Sequence, residues 1–125
     1  MTEFEEQALR LLDGFMLAFN ARDLKAWEAT FNYPSVRLAS GSVVLIDKPG
    51  FHPPDMFDRF LGQGWHHSAW DHRKVIHSSD DKVHLDTRFT RYREDGSKIG
   101  VYDSVYVVTR QDGHWGVQAR SSFAP

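Results

Sequence analysis

Four charged residues in the most strand-like part of the sequence have the side-chain types that proton transfer requires. They are Asp86, Arg88, Asp103 and Arg120. A carboxylate can remove a proton or activate a water molecule, and an arginine can stabilise the negative charge that develops. The same residues also fit a plain ion-pair network between neighbouring strands, which stabilises a sheet without doing chemistry. The sequence alone leaves both interpretations open.

The chain also contains seven histidines, which are the second group of residues that could take part in proton transfer. His67 is a candidate general acid or base, because a neutral imidazole titrates near physiological pH. His77 and His84 with Asp86 would form a cation site only at a wet end of a sheet, so we predict no metal site. The absence of cysteine excludes a thiolate metal site and a cysteine nucleophile. No glycine-rich phosphate loop or nucleotide-binding motif is present, so we predict no cofactor.

The strands that must position these residues form a predicted meander from Lys82 to Phe123. Val83–Tyr92, Ile99–Arg110 and His114–Phe123 are rich in β-branched and aromatic residues. Turns that contain Asp-Gly separate these runs, and Asp-Gly between such runs is the strongest short-range signal of a hairpin. The sequence therefore predicts three long antiparallel strands.

Two-residue loops at both turns would pair Arg88 with Asp103 and Val105 with Arg120. Side chains alternate across a strand, so this register defines two faces of the meander. The first, which we call the apolar face, carries Val83, Leu85, Thr87, Phe89, Tyr102, Ser104, Tyr106, Val108, Trp115, Val117, Ala119 and Phe123. The second, the mixed face, carries His84, Asp86, Arg88, Ile99, Val101, Asp103, Val105, Val107, Gln118, Arg120 and Ser122. A valine-rich surface with a few polar groups is typical of a pocket, which makes the mixed face the candidate cavity lining.

The remainder of the chain supplies three predicted helices and three more strands. Apolar residues recur at helical spacing from Phe4 to about Asn20, a second helix is predicted over Leu24–Phe31, and a third follows Pro53-Pro54. The further strands are predicted over Val36–Ala39, Ser42–Ile46 and Trp65–His77. This order indicates an α+β fold in which three N-terminal helices pack on a strongly curved antiparallel sheet, made of a short hairpin and a four-strand meander.

Composition narrows the class of protein. A chain of 125 residues fits one domain spanning residues 1–125. The net charge is −2 with both signs interspersed, which gives no electrostatic footprint for nucleic acid. The acidic N-terminus has no apolar signal region, and no apolar run is long enough to span a bilayer. We therefore expect a soluble, cytoplasmic protein that binds neither nucleic acid nor membrane.

Three segments resemble the nuclear-transport-factor-two-like superfamily, which includes SnoaL-like polyketide cyclases and ketosteroid isomerase. They are FMLAFNARDLKAWEATF, FTRYREDG and VVTRQDGHWGVQARSSF, and the resemblance covers nearly the whole chain. It implies a cone-shaped α+β fold with an internal cavity between the helices and the concave face of the sheet. It also implies that the opposite face of the sheet forms a dimer interface.

The resemblance implies a SnoaL-like pocket protein that acts as a cofactor-free isomerase, dehydratase or hydrolase on a small hydrophobic substrate. Epoxide hydrolases of this fold activate water with an Asp-Arg-Asp grouping, and Asp86, Arg88, Asp103 and Arg120 supply those types on one face. The first helix has no tyrosine to match the catalytic tyrosine of ketosteroid isomerase, so steroid isomerisation is not expected. The alternative is a non-catalytic binding or dimerisation module.

Three further predictions concern ligand contacts, assembly and the core. The candidate ligand-binding residues are Tyr33, Trp65, Asp71, Gln118 and Ser122. An uncovered apolar face would form an unusually large exposed patch, so we predict a homodimer that buries this outer sheet face. The predicted core contains Leu12, Phe15, Phe19, Trp27, Phe31, Val101, Val105 and Val107.

Overall fold

The computed structural model describes all residues from Met1 to Pro125. The helices are α1 (Glu3–Asn20), α2 (Leu24–Glu28) and α3 (Met56–Gly62). The strands are β1 (Phe31–Ala39), β2 (Ser42–Ile46), β3 (His67–Ser78), β4 (Lys82–Tyr92), β5 (Lys98–Gln111) and β6 (His114–Ser122). These elements confirm the predicted α+β class. None of the helices has both the length and the apolar character needed to cross a membrane.

All six strands belong to one sheet, in the order β2-β1-β6-β5-β4-β3. Neighbouring strands are antiparallel except β1 and β6, which run parallel. The prediction of a wholly antiparallel sheet is wrong at this pair. The predicted second helix is also too long, because the backbone carbonyl of Thr30 accepts a hydrogen bond from the N–H of Val117 and the chain enters β1 at Phe31. Pairing with β6 overrides local helix propensity there.

The register of the meander follows the prediction between β4 and β5 and departs from it between β5 and β6. Arg88 lies opposite Asp103, as predicted. The Asp112-Gly113 turn has positive φ at both residues, 52° and 78°, and the strands leave it in the predicted register. The pairing then shifts between Val107 and Val108, which leaves Gln118 of β6 without a partner. Such a bulge reverses the alternation of side chains beyond it, so Arg120 lies opposite Tyr106 and joins the apolar face.

The helices pack on the apolar face of the sheet. Val83, Leu85, Val108 and Val117 have no exposed surface and share one core cluster with residues of α1 and α2. That cluster includes Ala8, Leu12, Phe15, Trp27 and Phe31. The assignment of the mixed face to the cavity is therefore wrong, and most of the apolar face is unavailable for the predicted dimer interface.

The predicted core is correct for its helical members and wrong for its valines. Phe15 is 4% exposed, whereas Val101 and Val105 on the mixed face are 47% and 43% exposed. Val107 is only partly buried on that same outer side. Both faces of the meander carry β-branched residues, so alternation identifies the two faces but does not say which one the helices cover.

Candidate functional site

Two adjoining chambers lie between the helices and the apolar face. They share five lining residues, which are Phe19, Trp27, Arg37, Arg91 and Arg120. The inner chamber has a volume of about 50 Å³ and extends to Phe15, Phe89, Tyr106 and Ser122. The outer chamber has a volume of about 280 Å³ and extends to β2, α3 and the loop that precedes α3. Their shared walls make them one candidate site.

Three arginines converge on this site from three different strands. Arg37 of β1 and Arg120 of β6 are register partners, and Arg91 lies near the end of β4. No aspartate or glutamate lines either chamber. The five ion pairs of the protein all involve other residues. Arg37 donates one hydrogen bond, of 3.3 Å, to the backbone carbonyl of Ala124.

Arg120 is surrounded by aromatic rings. Its guanidinium carbon lies 5.9 Å, 5.6 Å and 5.1 Å from the ring centroids of Phe15, Trp27 and Phe31, respectively. Its Nε atom is buried and has no hydrogen-bond partner. Burial lowers the pKa of Arg120, and the neighbouring Tyr106 hydroxyl opposes that shift. A guanidinium nevertheless stays charged in proteins, so this is a half-buried cation that contacts ring faces.

Arg91 repeats this arrangement at the other side of the site. It is 9% exposed, and its guanidinium carbon lies 5.1 Å from the ring centroids of both Phe60 and Tyr102 and 5.9 Å from that of Phe89. Its Nε atom is also buried without a hydrogen-bond partner. Burial lowers the pKa of Arg91.

The chemistry of these arginines favours an anion as their partner. Leaving a buried charge uncompensated costs several kcal/mol, roughly 3–5 when one member of a buried pair is removed. A cation–π contact returns about 0.5–2 kcal/mol, so ring faces offset only part of that cost. The planar guanidinium matches carboxylate, phosphate and sulfate oxygens in a bidentate geometry. The cavity is therefore electrostatically and geometrically suited to a small anion.

A histidine–carboxylate pair borders the outer chamber. His52 lines that chamber, and its Nδ1 lies 2.9 Å from Oε2 of Glu28 at the end of α2. The Glu28 carboxylate also accepts hydrogen bonds from the backbone N–H groups of Gly50 and His52, at 3.1 Å and 3.4 Å. Burial acts to raise the pKa of Glu28, but these hydrogen bonds outweigh it and the pKa lies below its ordinary value.

Among the predicted site residues, Arg120 and Ser122 are the two that line the cavity. The Ser122 hydroxyl accepts hydrogen bonds from the Ser104 hydroxyl, at 2.7 Å, and from the backbone N–H of Ala124, at 3.1 Å. Both predicted residues follow the bulge at Gln118, which moved them from the mixed face to the apolar face. They are therefore in the site because of a bulge that the sequence did not reveal.

The three other predicted charged residues lie on the exposed mixed face. Arg88 Nε donates to Asp103 Oδ1 at 2.9 Å, with 48% and 58% of the two side chains exposed. Asp86 Oδ1 lies 3.9 Å from Nε2 of His72. The structure thus brings Arg88 and Asp103 together but separates both from Arg120, and the predicted Asp-Arg-Asp grouping does not form in the cavity.

The remaining candidates make structural contacts outside the chambers. His67 stacks on the ring of Tyr92, with centroids 4.9 Å apart. The Trp65 Nε1–H donates to the Ser68 hydroxyl, and the Tyr33 hydroxyl donates to the Glu28 carbonyl. Asp71 accepts a hydrogen bond from the Thr90 hydroxyl. The Gln118 amide donates to the carbonyls of Asn32 and Pro34. Each of these side chains fastens one element to another.

Sequence reasoning missed Arg37, Arg91 and His52. Arg91 carried a usable signal, because it has the same strand parity as Phe89 and Leu85, so it is a charge on an otherwise apolar face. Arg37 lies in a short predicted strand, and the alternation of side chains there did not show which face of the strand points inward. His52 lies in a loop, and no spacing rule connects it to Glu28.

The helices and the sheet form an α+β fold whose arrangement is similar to that of a solved structure with a cystatin-like fold. Residues 5–122 match the model of the family described as NTF2-like protein (DUF6841), and the chain belongs to that family. This confirms the predicted superfamily. No functionally curated protein matches the sequence.

Solved structures support the same fold. A protein of unknown function with a cystatin-like fold from Nostoc punctiforme is 15% identical, with a TM-score of 0.79, over 100% of this chain and 94% of that chain. An NTF2-like protein from Novosphingobium aromaticivorans is 13% identical, with a TM-score of 0.76, over 97% and 81%. A ketosteroid isomerase-like protein from Erwinia carotovora atroseptica is 16% identical, with a TM-score of 0.70, over 100% of both chains. At these identities the similarity concerns the fold alone.

Proposed function

We propose that this protein binds a small organic anion in the cavity lined by Arg37, Arg91 and Arg120. The observation that carries the proposal is that these three guanidinium groups converge without any carboxylate in the cavity wall. Two of them keep a buried Nε–H without an acceptor. An anionic ligand supplies both the missing charge and the missing acceptors.

The rest of the cavity indicates what the anion is attached to. Phe19, Trp27 and Phe60 present aromatic rings to the outer chamber, which favours an apolar or aromatic ligand body. The outer chamber, at about 280 Å³, lies at the small end of the range for ligand sites. The ligand is therefore a compact organic acid, about the size of one ring with a short side chain. The sequence predicted a small hydrophobic ligand, and the proposed ligand differs from it by carrying a negative charge.

This proposal replaces the carboxylate chemistry that the sequence suggested. Asp86, Arg88 and Asp103 lie on the opposite side of the sheet from the cavity, so they have no route to a molecule bound among the arginines. The cavity offers binding contacts first. A pocket protein that captures an organic acid is therefore better supported than an Asp-Arg-Asp hydrolase.

Binding can be measured by isothermal titration calorimetry with 3-phenylpropionate and its neutral analogue 3-phenylpropanol. We expect the acid to bind, the alcohol to bind at least about tenfold more weakly, and Arg120→Met to lose about 10–100-fold in affinity for the acid, because a charged hydrogen bond contributes about 1.5–3 kcal/mol. Arg88→Met removes an exposed arginine of the mixed face and serves as the matched control. Equal affinities for acid and alcohol, or for the Arg120 variant and the native protein, would contradict the proposal.

We also propose that the protein forms a homodimer through the face of the sheet that the helices leave uncovered, and not through the predicted apolar face. Val43, Leu38, Ser121 and Val105 are successive register partners across β2, β1, β6 and β5, so their side chains form one row. Val43, Leu38 and Val105 are 76%, 45% and 43% exposed. Light scattering at micromolar concentration tests this proposal. We expect a dimer that Leu38→Glu dissociates, and a monomeric native protein would contradict it.

A further inference from the structure

The loop before α3 orients His52 in a specific way. Glu28 is 6% exposed and accepts hydrogen bonds from the His52 ring, the His52 backbone and the Gly50 backbone. An ionised carboxylate only accepts hydrogen bonds, so Nδ1 of His52 carries the proton that it donates to Glu28. In the neutral ring, Nε2 then carries the lone pair. Glu28 thereby fixes both the tautomer and the plane of the ring.

The ring that carries this free nitrogen lines the cavity. The His52 ring packs against Trp27 and Phe31, with centroids 4.7 Å and 5.8 Å apart, and it lines the outer chamber together with Arg37 and Arg120. Its only side-chain hydrogen bond is the one from Nδ1 to Glu28. Burial, Arg120 and Arg37 act to lower the pKa of His52 and outweigh Glu28, so the neutral ring is favoured.

The number of arginines supports a ligand with more than one oxygen-bearing group. One guanidinium already forms a bidentate pair with one carboxylate. Arg37, Arg91 and Arg120 together leave cationic donors for a second oxygen close to the acid group. A 2-oxo acid has such an oxygen, and its carbonyl makes the adjacent C–H bond acidic.

We propose that His52 is the catalytic base of this cavity, with Glu28 as its positioning residue, and that the substrate class is an enolisable 2-oxo acid. This inference rests on the anion-binding function proposed above. In the step, the C–H bond next to the carbonyl breaks, the proton moves to Nε2 of His52, and the electron pair moves to the carbonyl oxygen. The arginines stabilise the resulting enolate. Return of the proton to carbon completes the cycle, so no oxidant or co-reactant is needed.

Phenylpyruvate is the probe for this step. Exchange of its C3 protons for deuterium is followed by ¹H NMR in D₂O, above the rate measured without protein, while binding is followed by quenching of tryptophan fluorescence. We expect the native protein to accelerate exchange at saturating probe and 3-phenylpropionate to inhibit it. We expect His52→Gln to bind phenylpyruvate within about threefold of native and to lose at least about 100-fold in exchange, the usual contribution of a general base.

Variants separate a chemical role from a structural one. His77→Gln, at an exposed position of β3, is the matched control and should exchange like the native protein. Imidazole added to His52→Ala should restore part of the exchange, whereas a histidine that only fastens the loop gives no such rescue. Glu28→Gln should slow exchange more than Glu28→Asp, which keeps the carboxylate.

Each failure has its own signature. A native protein that binds phenylpyruvate and does not accelerate exchange overturns this inference and leaves the proposed binding function intact. That measurement needs no variant, so it is decisive even if substitutions at His52 prevent folding. A His52→Gln protein that exchanges as fast as native also overturns the inference. A native protein that does not bind phenylpyruvate or 3-phenylpropionate overturns the proposed function, and this inference with it.

Discussion

The two faces of the sheet use arginine in opposite ways. On the exposed mixed face, Arg88 meets Asp103 at 2.9 Å, and the ion pair is complete within the protein. On the apolar face, Arg120 lies among aromatic rings with a buried Nε and no acidic partner. The first arginine contributes to the sheet and requires nothing more. The second has no acidic partner in the cavity wall, which is the basis of the anion-binding function proposed above.

The difference between Arg88 and Arg120 distinguishes an arginine that affects only the folding of the sheet from one that is available for the proposed binding. An exposed ion pair is hydrated in the folded and the unfolded protein, so it adds little to folding. A cation placed among rings acts against folding when nothing compensates its charge, and an anionic ligand is the compensation proposed above. Paired substitutions on the two faces test this contrast.

The largest expected difference concerns packing. Phe15 is 4% exposed and contacts the rings of Trp27, Phe31 and Tyr106, whereas Val105 on the mixed face is 43% exposed. We expect Phe15→Ala to lower the free energy of unfolding by about 3–5 kcal/mol and Val105→Ala to lower it by less than about 1 kcal/mol. Urea denaturation of both variants measures this. Similar losses at the two positions would mean that the helices do not distinguish the faces.

Helix caps and tight turns depend on residues close together in the sequence, so the sequence contains the signals for them. Thr2 caps α1 by accepting a hydrogen bond from the Glu5 N–H at 3.1 Å, and threonine is a preferred residue at this position. The Asp112-Gly113 turn gave the predicted register at its own end of the hairpin, because turn type fixes hairpin register within a few residues. Arg88 lies opposite Asp103 as predicted, although the pairing shifts by one residue between Arg91 and Tyr92, next to the other turn.

The features that the sequence did not show depend on contacts between residues far apart in the chain. The bulge at Gln118 is held by hydrogen bonds from its amide to the carbonyls of Asn32 and Pro34, more than eighty positions earlier in the chain. That one extra residue moves Arg120 into the cavity, and no alternation pattern within β6 indicates it. The pairing of Glu28 with His52 likewise depends on where a loop crosses the end of α2.

The next prediction compares the two arginines directly. We expect Arg120→Met to raise the free energy of unfolding by about 1 kcal/mol or more in the absence of ligand, because an apolar side chain replaces an uncompensated cation among rings. Arg88→Met should leave the urea midpoint within experimental error. A destabilised Arg120→Met protein would show that the ring contacts alone compensate the charge, and that no external anion is required.

A smaller effect is expected in the pH dependence of stability. The pKa of His52 is lowered from its ordinary value of 6.5 by burial, Arg120 and Arg37, with Glu28 opposing. Below pH 6.5 the unfolded chain therefore binds a proton that the folded ring resists, and stability falls as the pH drops from 6.5 to the folded pKa. Glu28, whose pKa is also lowered, adds a loss in the same direction below its ordinary value of 4.5. We expect His52→Gln to flatten the slope just below pH 6.5 in urea denaturation, and His77→Gln to keep the native slope.

The smallest effect is expected for Asp103. The Arg88 hydrogen bond lowers the pKa of Asp103 below its ordinary value of 3.8, as the sequence-based pairing predicted. The predicted register also placed Arg120 on the same face as Asp103. Arg120 lies across the sheet and Arg88 is exposed to water, so the substitution leaves no buried cation unpaired. We therefore expect Asp103→Asn to fold with a nearly unchanged urea midpoint and to bind 3-phenylpropionate like the native protein.

Carboxyl titration by NMR should give an Asp103 pKa that rises toward 3.8 as salt screens the pair. A loss of ligand affinity in this variant would instead mean that the mixed face takes part in binding, and the contrast between the two faces would fail.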